Sequence, residues 1–259
     1  MKDTTIKGNF TVNGQAFAQW FEQFRLGKAN FQYPLNAQNF EAVMDKMPQM
    51  MCKPEISLAE FVGIFCFIYN ETGGTFLSMK ELGGAAHYAR HGYSNKEAGR
   101  GLIQLTSASV YRVVLKELGY DYDAMTAEQL DALFLKENIY LPAVCIYLSH
   151  PQLAGGHWKQ VQAGNTFAFG KAISGGANWY GTLYQNRCDA LKKGLENEDI
   201  RHKNSPKQRY MRGFLTFLLL VFMLTSLYFA WRNRSKIGAI LKKPILSTSE
   251  ITPNTTIPT

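Results

Sequence analysis

The sequence predicts a mainly α-helical body followed by a single C-terminal transmembrane helix. Apolar residues recur at spacings of three and four in several segments before residue 195, which is the period of a helix with one buried face. No alternating pattern typical of a strand extends beyond a few residues. Residues 214–231 form an uncharged, apolar run of 18 residues, just long enough to cross the hydrocarbon core of a bilayer.

The composition divides the chain into five parts. We expect an N-terminal accessory segment at 1–35, the main helical domain at 36–195, and a polar and basic linker at 196–213. The transmembrane helix at 214–231 leads into a tail at 232–259, which is first basic and then rich in Thr and Pro, a composition typical of disorder. No apolar stretch follows Met1, so a cleavable secretory signal is not expected.

The basic charge lies at the C-terminal end of the chain. The whole sequence has a formal net charge of +8, but residues 1–200 hold 18 Lys and Arg against 19 Asp and Glu. Because this body is nearly neutral, we expect no nucleic-acid partner for it. Basic residues flank the apolar run on both sides, so the positive-inside rule leaves the sidedness of the body open.

Two amphipathic helices are predicted in the first 50 residues. The first carries its aromatic side chains on one face, at Phe17, Trp20, Phe21 and Phe24. We expect this face to pack on the core, the alternative being a platform on which sugar rings stack. The second helix spans Asn36–Met50.

The next helix is expected to present an acidic side chain, Glu71, at its C-terminal end. Ser57 and Glu60 have the spacing of a capping box, and an apolar run follows until Gly73 and Gly74 end the helix. Apolar surroundings and the negative end of the helix dipole both disfavour an ionised carboxylate at Glu71. A carboxylic acid that stays protonated near neutrality is suited to donating a proton to a leaving oxygen.

A glycine-rich stretch between residues 71 and 99 holds the candidates for a second carboxylate. Glu81 and Glu97 are both present, and Glu97 could instead be an ion-pair partner of Arg100. Loops of this composition line active-site clefts more often than they form core. His87 and His91 have a spacing that could bind metal on a helix, but no third ligand is evident, so we expect neither a metal nor a cofactor.

Residues 99–106 are predicted to supply polar groups to the same region. In an extended segment Gln104 and Thr106 would share one face, from which they could bind a hydroxyl or orient a water. Further helices are expected at 108–118, from 126 onwards, and at 139–148, 163–173 and 179–195. Cys66 and Cys145 lie in apolar runs and are interpreted as small core residues, with a disulfide left open.

Taken together, these motifs resemble the family 19 glycoside hydrolases, the chitinases and endolysin-type lysozymes with a lysozyme-like helical fold. Residues 70–74 are similar to the family's His-Glu-x-x-Gly-Gly, and residues 99–106 match its Gly-Arg-Gly-(Pro/Leu)-Ile-Gln-Leu-Thr. Tyr111 stands where the family has a tyrosine, and residues 173–176 look like its Ile-Asn-Gly-Gly. Arg187 resembles the arginine of the helix that follows. The resemblance covers roughly residues 40–195.

The resemblance implies a role for each of these residues. Glu71 would protonate the glycosidic oxygen, and ionised Glu81 would draw a proton from the attacking water, with inversion of configuration. The residues expected to bind substrate or water are Gln104, Thr106, Tyr111, Ser174 and Arg187. The departures from the family pattern are Asn70 for His, Ser174 and Val110 each for Asn, and Ser107 for Gly. These departures remove polar contacts from the site but leave both carboxylates in place.

The expected function is therefore hydrolysis of β-1,4 bonds in peptidoglycan, which we favour over chitin, by a body anchored in a lipid bilayer through residues 214–231. That bilayer would be a bacterial cell membrane or the membrane of a lipid-containing virion. The alternative is a catalytically degenerate domain that binds glycan or serves as a structural membrane protein.

Overall fold

The computed structural model describes residues 4–202, together with residues 223 and 225. The described body is mainly helical, as the sequence predicts, and it belongs to a compact unit that ends at residue 204. A single 3-10 turn spans Asn95–Glu97 within it. The α-helices of residues 4–202 are α1 (Phe17–Arg25), α2 (Ala37–Asp45), α3 (Met47–Met51), α4 (Leu58–Thr72), α5 (Gly84–Arg90), α6 (Ala108–Glu117), α7 (Ala127–Phe134), α8 (Glu137–Ser149), α9 (Gly155–Gln162), α10 (Thr166–Ile173) and α11 (Asn178–Leu195).

Short strands join parts of the body that are far apart in the chain. The strands of residues 4–202 are β1 (Thr5–Ile6), β2 (Phe10–Val12), β3 (Gln15–Ala16), β4 (Ile56–Ser57), β5 (Met79–Lys80), β6 (Arg100–Gly101) and β7 (Ile200–His202). All pairings are antiparallel: β1 with β4, β2 with both β3 and β7, and β5 with β6. Phe10 faces His202 in the β2–β7 pair. The residues at 200–202, within the stretch predicted as linker, thus pair with the N-terminal segment.

Helix α4 runs through the centre of the body. Its N-terminus has the predicted capping box: Ser57 Oγ accepts from the Glu60 amide at 3.2 Å, and Glu60 Oε2 accepts from the Ser57 amide at 2.9 Å. Its C-terminus ends at Gly73 in the left-handed conformation, φ +57°. Nearly every side chain between these ends is buried, which fixes the position of the acidic residue in its last turn.

The aromatic face of α1 packs on α4. The ring centroid of Phe17 lies 5.1 Å from that of Phe61, and the centroid of Phe21 lies 4.9 Å from that of Phe65. Each aromatic side chain buried in this way contributes about 1.5–3 kcal/mol of transfer free energy. The prediction that this helix packs on the core is confirmed. Because Trp20 is buried as well, this face offers no platform for sugars.

The prediction of a single helix over Asn36–Met50 is wrong, because the structure has two helices in this range. Helix α2 ends at Asp45, and α3 starts at Met47 with Pro48 in its first turn. A proline has no amide hydrogen and its ring clashes with the preceding turn, so a continuous helix through residue 48 is disfavoured.

A disulfide joins Cys52, at the end of α3, to Cys145 in α8, with a Cα–Cα distance of 5.6 Å. Cys66 and Cys145 are both buried, as predicted; Cys145 forms the disulfide that the sequence left open, and Cys66 is a free thiol. The two bridged cysteines are 93 positions apart. Closing a loop of that length stabilises a fold by about 4–5 kcal/mol in the chain-entropy model.

The apolar run expected to cross a membrane falls almost wholly beyond the described part of the chain. Residues 214–231 lie outside it except for 223 and 225, and so do residues 203–213 and 232–259. Among the residues that are described, no helix combines the length and the apolar character needed to span a bilayer.

Candidate active site

A cavity of about 610 Å³ lies where the end of α4, the β5–β6 hairpin and the α10–α11 connection meet. It is lined by Phe67, Glu71, Glu81, Ile103, Gln104, Leu105, Thr106, Val110, Tyr147, Ala172, Ile173, Ser174, Gly175 and Tyr180. This volume falls within the range of about 300–1,000 Å³ typical of ligand sites. Both carboxylates that the sequence singled out lie on its walls.

Glu71, the penultimate residue of α4, is half-buried and contacts a neighbouring helix. Burial raises the pKa of its carboxyl group, and the nearby charge of Glu81 acts in the same direction. Hydrogen bonds from Tyr180 Oη and Asn70 Nδ2 to Glu71 Oε1 oppose the shift without cancelling it. The group therefore holds its proton to higher pH than an ordinary glutamate.

Behind Glu71, a chain of hydrogen bonds fixes the orientation of Asn70. Arg187 Nη1 donates to Asn70 Oδ1, and Arg187 Nε donates to the carbonyl of Asn30 at 2.6 Å. With its oxygen engaged, Asn70 turns its amide nitrogen toward Tyr180 Oη at 2.5 Å and Glu71 Oε1 at 3.4 Å. Asn70 thus helps to orient the Glu71 carboxyl group.

Glu81 follows β5 and also lines the cavity, where its carboxylate accepts several hydrogen bonds. Oε1 accepts from Tyr93 Oη at 2.6 Å and lies 3.0 Å from His87 Nε2, while Oε2 accepts from the Gly99 amide at 3.0 Å. Partial burial works against ionisation, but these hydrogen bonds outweigh it and lower the pKa of Glu81. A carboxylate has about four acceptor positions, so one on Oε2 stays available for a water.

The rival carboxylate, Glu97, has a structural role. Its Oε2 accepts from the Ser94 amide at 3.0 Å, which caps the 3-10 turn, and its Oε1 accepts from the Ala108 amide at 3.3 Å. Glu97 does not line the cavity. Of the two candidates, only Glu81 lines the cavity together with Glu71.

Residues 103–106 line the cavity, but the prediction that residues 99–106 form an extended segment is wrong. The backbone folds back on itself, so that Arg100 and Leu105 pair with each other, and Gln104 adopts the left-handed conformation with φ +49°. Gln104 Nε2 donates to the carbonyls of Met79 and Gly101 at 3.1 and 2.9 Å. This tight turn brings both Gln104 and Thr106 to the cavity wall.

The turn is built on a fully buried arginine. The Arg100 guanidinium donates to Asp131 Oδ1 at 2.6 Å and to the carbonyl of Ala98 at 2.8 Å. Nη1 also donates to Tyr111 Oη at 3.2 Å. With both the charge and the donors of Arg100 satisfied inside the protein, it acts as a structural anchor for the turn.

Three further residues were predicted to bind substrate or water, and only one lies at the cavity. Ser174 lines it. Tyr111 is wholly buried, with its hydroxyl 2.6 Å from the carbonyl oxygens of Ala98 and Leu105, so its predicted contact with substrate is wrong. Arg187 is also buried and reaches Asn70 instead of the cavity. Both residues support the site indirectly, Tyr111 through its bond to the Leu105 carbonyl and Arg187 through its bond to Asn70.

His87 belongs to the Glu81 cluster. Its ring centroid lies 4.5 Å from that of His91, but within the described residues no group of three or more His, Cys, Asp or Glu side chains is placed to hold a metal ion. The His87 contact with Glu81 is instead one of the interactions that favour the ionised carboxylate.

Two tyrosines at the site were not predicted. Tyr180 is 109 positions from Glu71, and Tyr93 is 12 positions from Glu81. Helical periodicity places residue 180 in a helix but does not indicate that its hydroxyl meets the acid. The glycine-rich loop around Tyr93 carries no periodic signal from which its direction could be predicted.

Comparisons of the chain with protein-family models, curated proteins and solved structures returned no match. The resemblance to family 19 glycoside hydrolases stays a prediction that rests on the motifs themselves.

Proposed function

We propose that this protein is a glycoside hydrolase of the family 19 type, with a lysozyme-like body, which cleaves β-1,4 bonds of peptidoglycan. Glu71 donates a proton to the leaving oxygen, and Glu81 accepts one from the attacking water. The observation that carries the proposal is the pair of glutamates on one cavity with pKa values displaced in opposite directions.

This difference matches what acid–base hydrolysis of a glycosidic bond requires. The general acid must be protonated before the reaction, so a raised pKa at Glu71 favours that role. The general base must be ionised, as the lowered pKa of Glu81 favours. The open acceptor position on Glu81 Oε2 is where the nucleophilic water would bind, and Gln104 and Thr106, which line the same cavity, would orient it.

The shape of the site supports a polymeric substrate. A second cavity of about 210 Å³ continues from the first and shares four lining residues with it, Val110, Tyr147, Ala172 and Ile173. Gln152 and His157 line this extension and add polar groups. A groove that continues past the carboxylates can hold sugar units on the far side of the bond to be broken.

The disulfide supports a location outside a reducing cytosol. Disulfides persist in oxidising compartments such as the periplasm or the outer face of a cell or virion. We therefore propose that the Cys52–Cys145 bridge places the body on the outer side of the membrane, with residues 214–231 as its anchor. Peptidoglycan is the amino-sugar polymer within reach of such a body.

Loss of turbidity of purified peptidoglycan tests this proposal. We expect the full chain in detergent to clear the suspension, and the Glu71→Gln variant to lose about 10²–10⁴-fold in rate, the contribution typical of general acid catalysis. Newly formed reducing ends should first appear with inverted anomeric configuration. Equal clearing by both proteins would contradict the proposal.

A second candidate is a glycan-binding protein without hydrolytic activity. The observation that favours it is the apolar Val110 on the cavity wall, at a position where the resemblance implies a polar contact. If neither wild type nor Glu71→Gln clears peptidoglycan and both bind it equally, this candidate is correct.

A further inference from the structure

Trp179 is an exposed aromatic side chain that the catalytic account does not use, and its ring contacts that of Tyr180, a residue of the cavity lining. It is the second residue of α11, and 70% of its surface is exposed. Its ring centroid lies 5.6 Å from that of Tyr180, at an interplanar angle of 73°. Tyr180 lines the cavity and donates to Glu71. The exposed indole therefore contacts the ring of a residue that bonds to the acid.

Exposure by itself is not evidence of a site, because single apolar side chains on protein surfaces are common. Leu26 has the same exposed fraction, 70%, but lies at the C-terminal end of α1, away from the residues that line the cavity in sequence. What distinguishes Trp179 is its place in the chain, between the lining residues Ser174 and Gly175 on one side and Tyr180 on the other.

The surroundings of Trp179 argue against a protein or a membrane as the group that covers it. Its exposed chain neighbours Gly176 and Asn178 are not apolar, so the indole does not lie in an apolar run of the sequence. A buried tryptophan covers about 150–250 Å², whereas stable protein–protein interfaces bury about 1,200–2,000 Å². The flat indole matches the face of one small ring.

We infer that Trp179 is a binding platform for a sugar unit of the glycan strand, next to the units held between the two carboxylates. The inference rests on the proposed function and extends that site by one sugar position. A pyranose ring presents a face of C–H groups that packs on an aromatic face, while its hydroxyls at the ring edge stay in water. The bound strand would then follow the cavity from its extension at Gln152 and His157 to the start of α11.

Binding without turnover tests this inference. The full chain carrying Glu71→Gln is mixed in detergent with increasing amounts of purified peptidoglycan, and the unbound protein is measured. The same chain with Trp179→Ala is compared with a matched control, Leu26→Ala, which removes an equally exposed apolar side chain. We expect Trp179→Ala to weaken binding about tenfold, equivalent to about 1.4 kcal/mol. Leu26→Ala should leave it unchanged, and Trp179→Phe should retain most of it.

Chitin beads provide a second arm that identifies the sugar. Equal loss on peptidoglycan and chitin would support recognition of the amino-sugar ring common to both. Binding by Trp179→Ala equal to that of Leu26→Ala on both polymers would overturn the platform, whether or not the wild type clears peptidoglycan. Failure of the proposed function would appear separately, as no clearing by the wild type.

Discussion

Glu71 and Glu81 lie in two different regions of the cavity lining, and their surroundings shift their pKa values in opposite directions. Glu71 is at the end of a buried helix, where loss of water raises its pKa more than the hydrogen bonds from Tyr180 and Asn70 lower it. Glu81 is in a loop with 27% of its side chain exposed, where donors from Tyr93, Gly99 and His87 outweigh partial burial.

This difference shows how one residue type can supply both an acid and a base. Desolvation disfavours the charged form of a carboxyl group, whereas several hydrogen-bond donors favour it. Desolvation acts on Glu71, at the end of helix α4, whereas the hydrogen-bond donors surround Glu81, which lies in a segment rich in turns. A substitution at either glutamate, or at the tyrosine that donates to it, should change one of these two environments.

The largest effect is expected from removing the base. Glu81→Gln keeps one oxygen that can accept from Tyr93 or from the Gly99 amide, but it eliminates the proton acceptor, so kcat should fall about 10²–10⁴-fold. Glu97→Gln is the matched control, because this glutamate caps a turn and does not line the cavity. Rates of peptidoglycan clearing measure both. A larger loss for Glu97→Gln than for Glu81→Gln would mean that the base is misassigned.

Two tyrosine variants should each move one limb of the pH–rate profile. Tyr93→Phe removes a donor from Glu81 and should raise its pKa, so the acidic limb moves to higher pH. Tyr180→Phe removes the donor from Glu71 and should raise that pKa, so the alkaline limb moves to higher pH. Each variant serves as the control for the other. A shift of both limbs by either variant would show that the two walls are not independent.

A smaller effect is expected in thermal stability, with opposite signs at the two sites. The raised pKa of Glu71 means that stability is lost as pH rises through it, so Glu71→Gln should increase Tm at neutral pH. The lowered pKa of Glu81 means that its ionised form stabilises the fold above the pKa of the unfolded chain, so Glu81→Gln should decrease Tm. Both differences should shrink when melting is repeated near pH 3, where both groups gain protons. Changes of the same sign at neutral pH would contradict the two environments.

The parts of the site that the sequence predicts are those with a local signal. Ser57, Glu60 and Gly73 mark the ends of α4 by short-range rules, so the position of Glu71 in its last turn follows from the sequence. Glu81 could be ranked above Glu97 only through the resemblance. The structure distinguishes them because Glu97 caps a turn.

The parts that were not predicted depend on contacts between distant residues. Nothing local to Tyr180 indicates its hydrogen bond to Glu71, and nothing near Cys52 indicates that Cys145 is its partner. The turn at 101–104 requires a left-handed Gln104, a conformation uncommon for a residue with a side chain. Buried Arg100 supports that turn because its guanidinium donates to Asp131 and to carbonyls that precede the turn, among them that of Ala98.

The most direct test of the opposed carboxylates is the pH dependence of kcat/KM for peptidoglycan clearing by the full chain, measured from about pH 3 to 9. We predict a bell-shaped profile, whose acidic limb reflects protonation of Glu81 below the usual glutamate range and whose alkaline limb reflects ionisation of Glu71 above it. Activity that does not decline on the alkaline side, or an alkaline limb that persists unchanged in residual Glu71→Gln activity, would contradict the account.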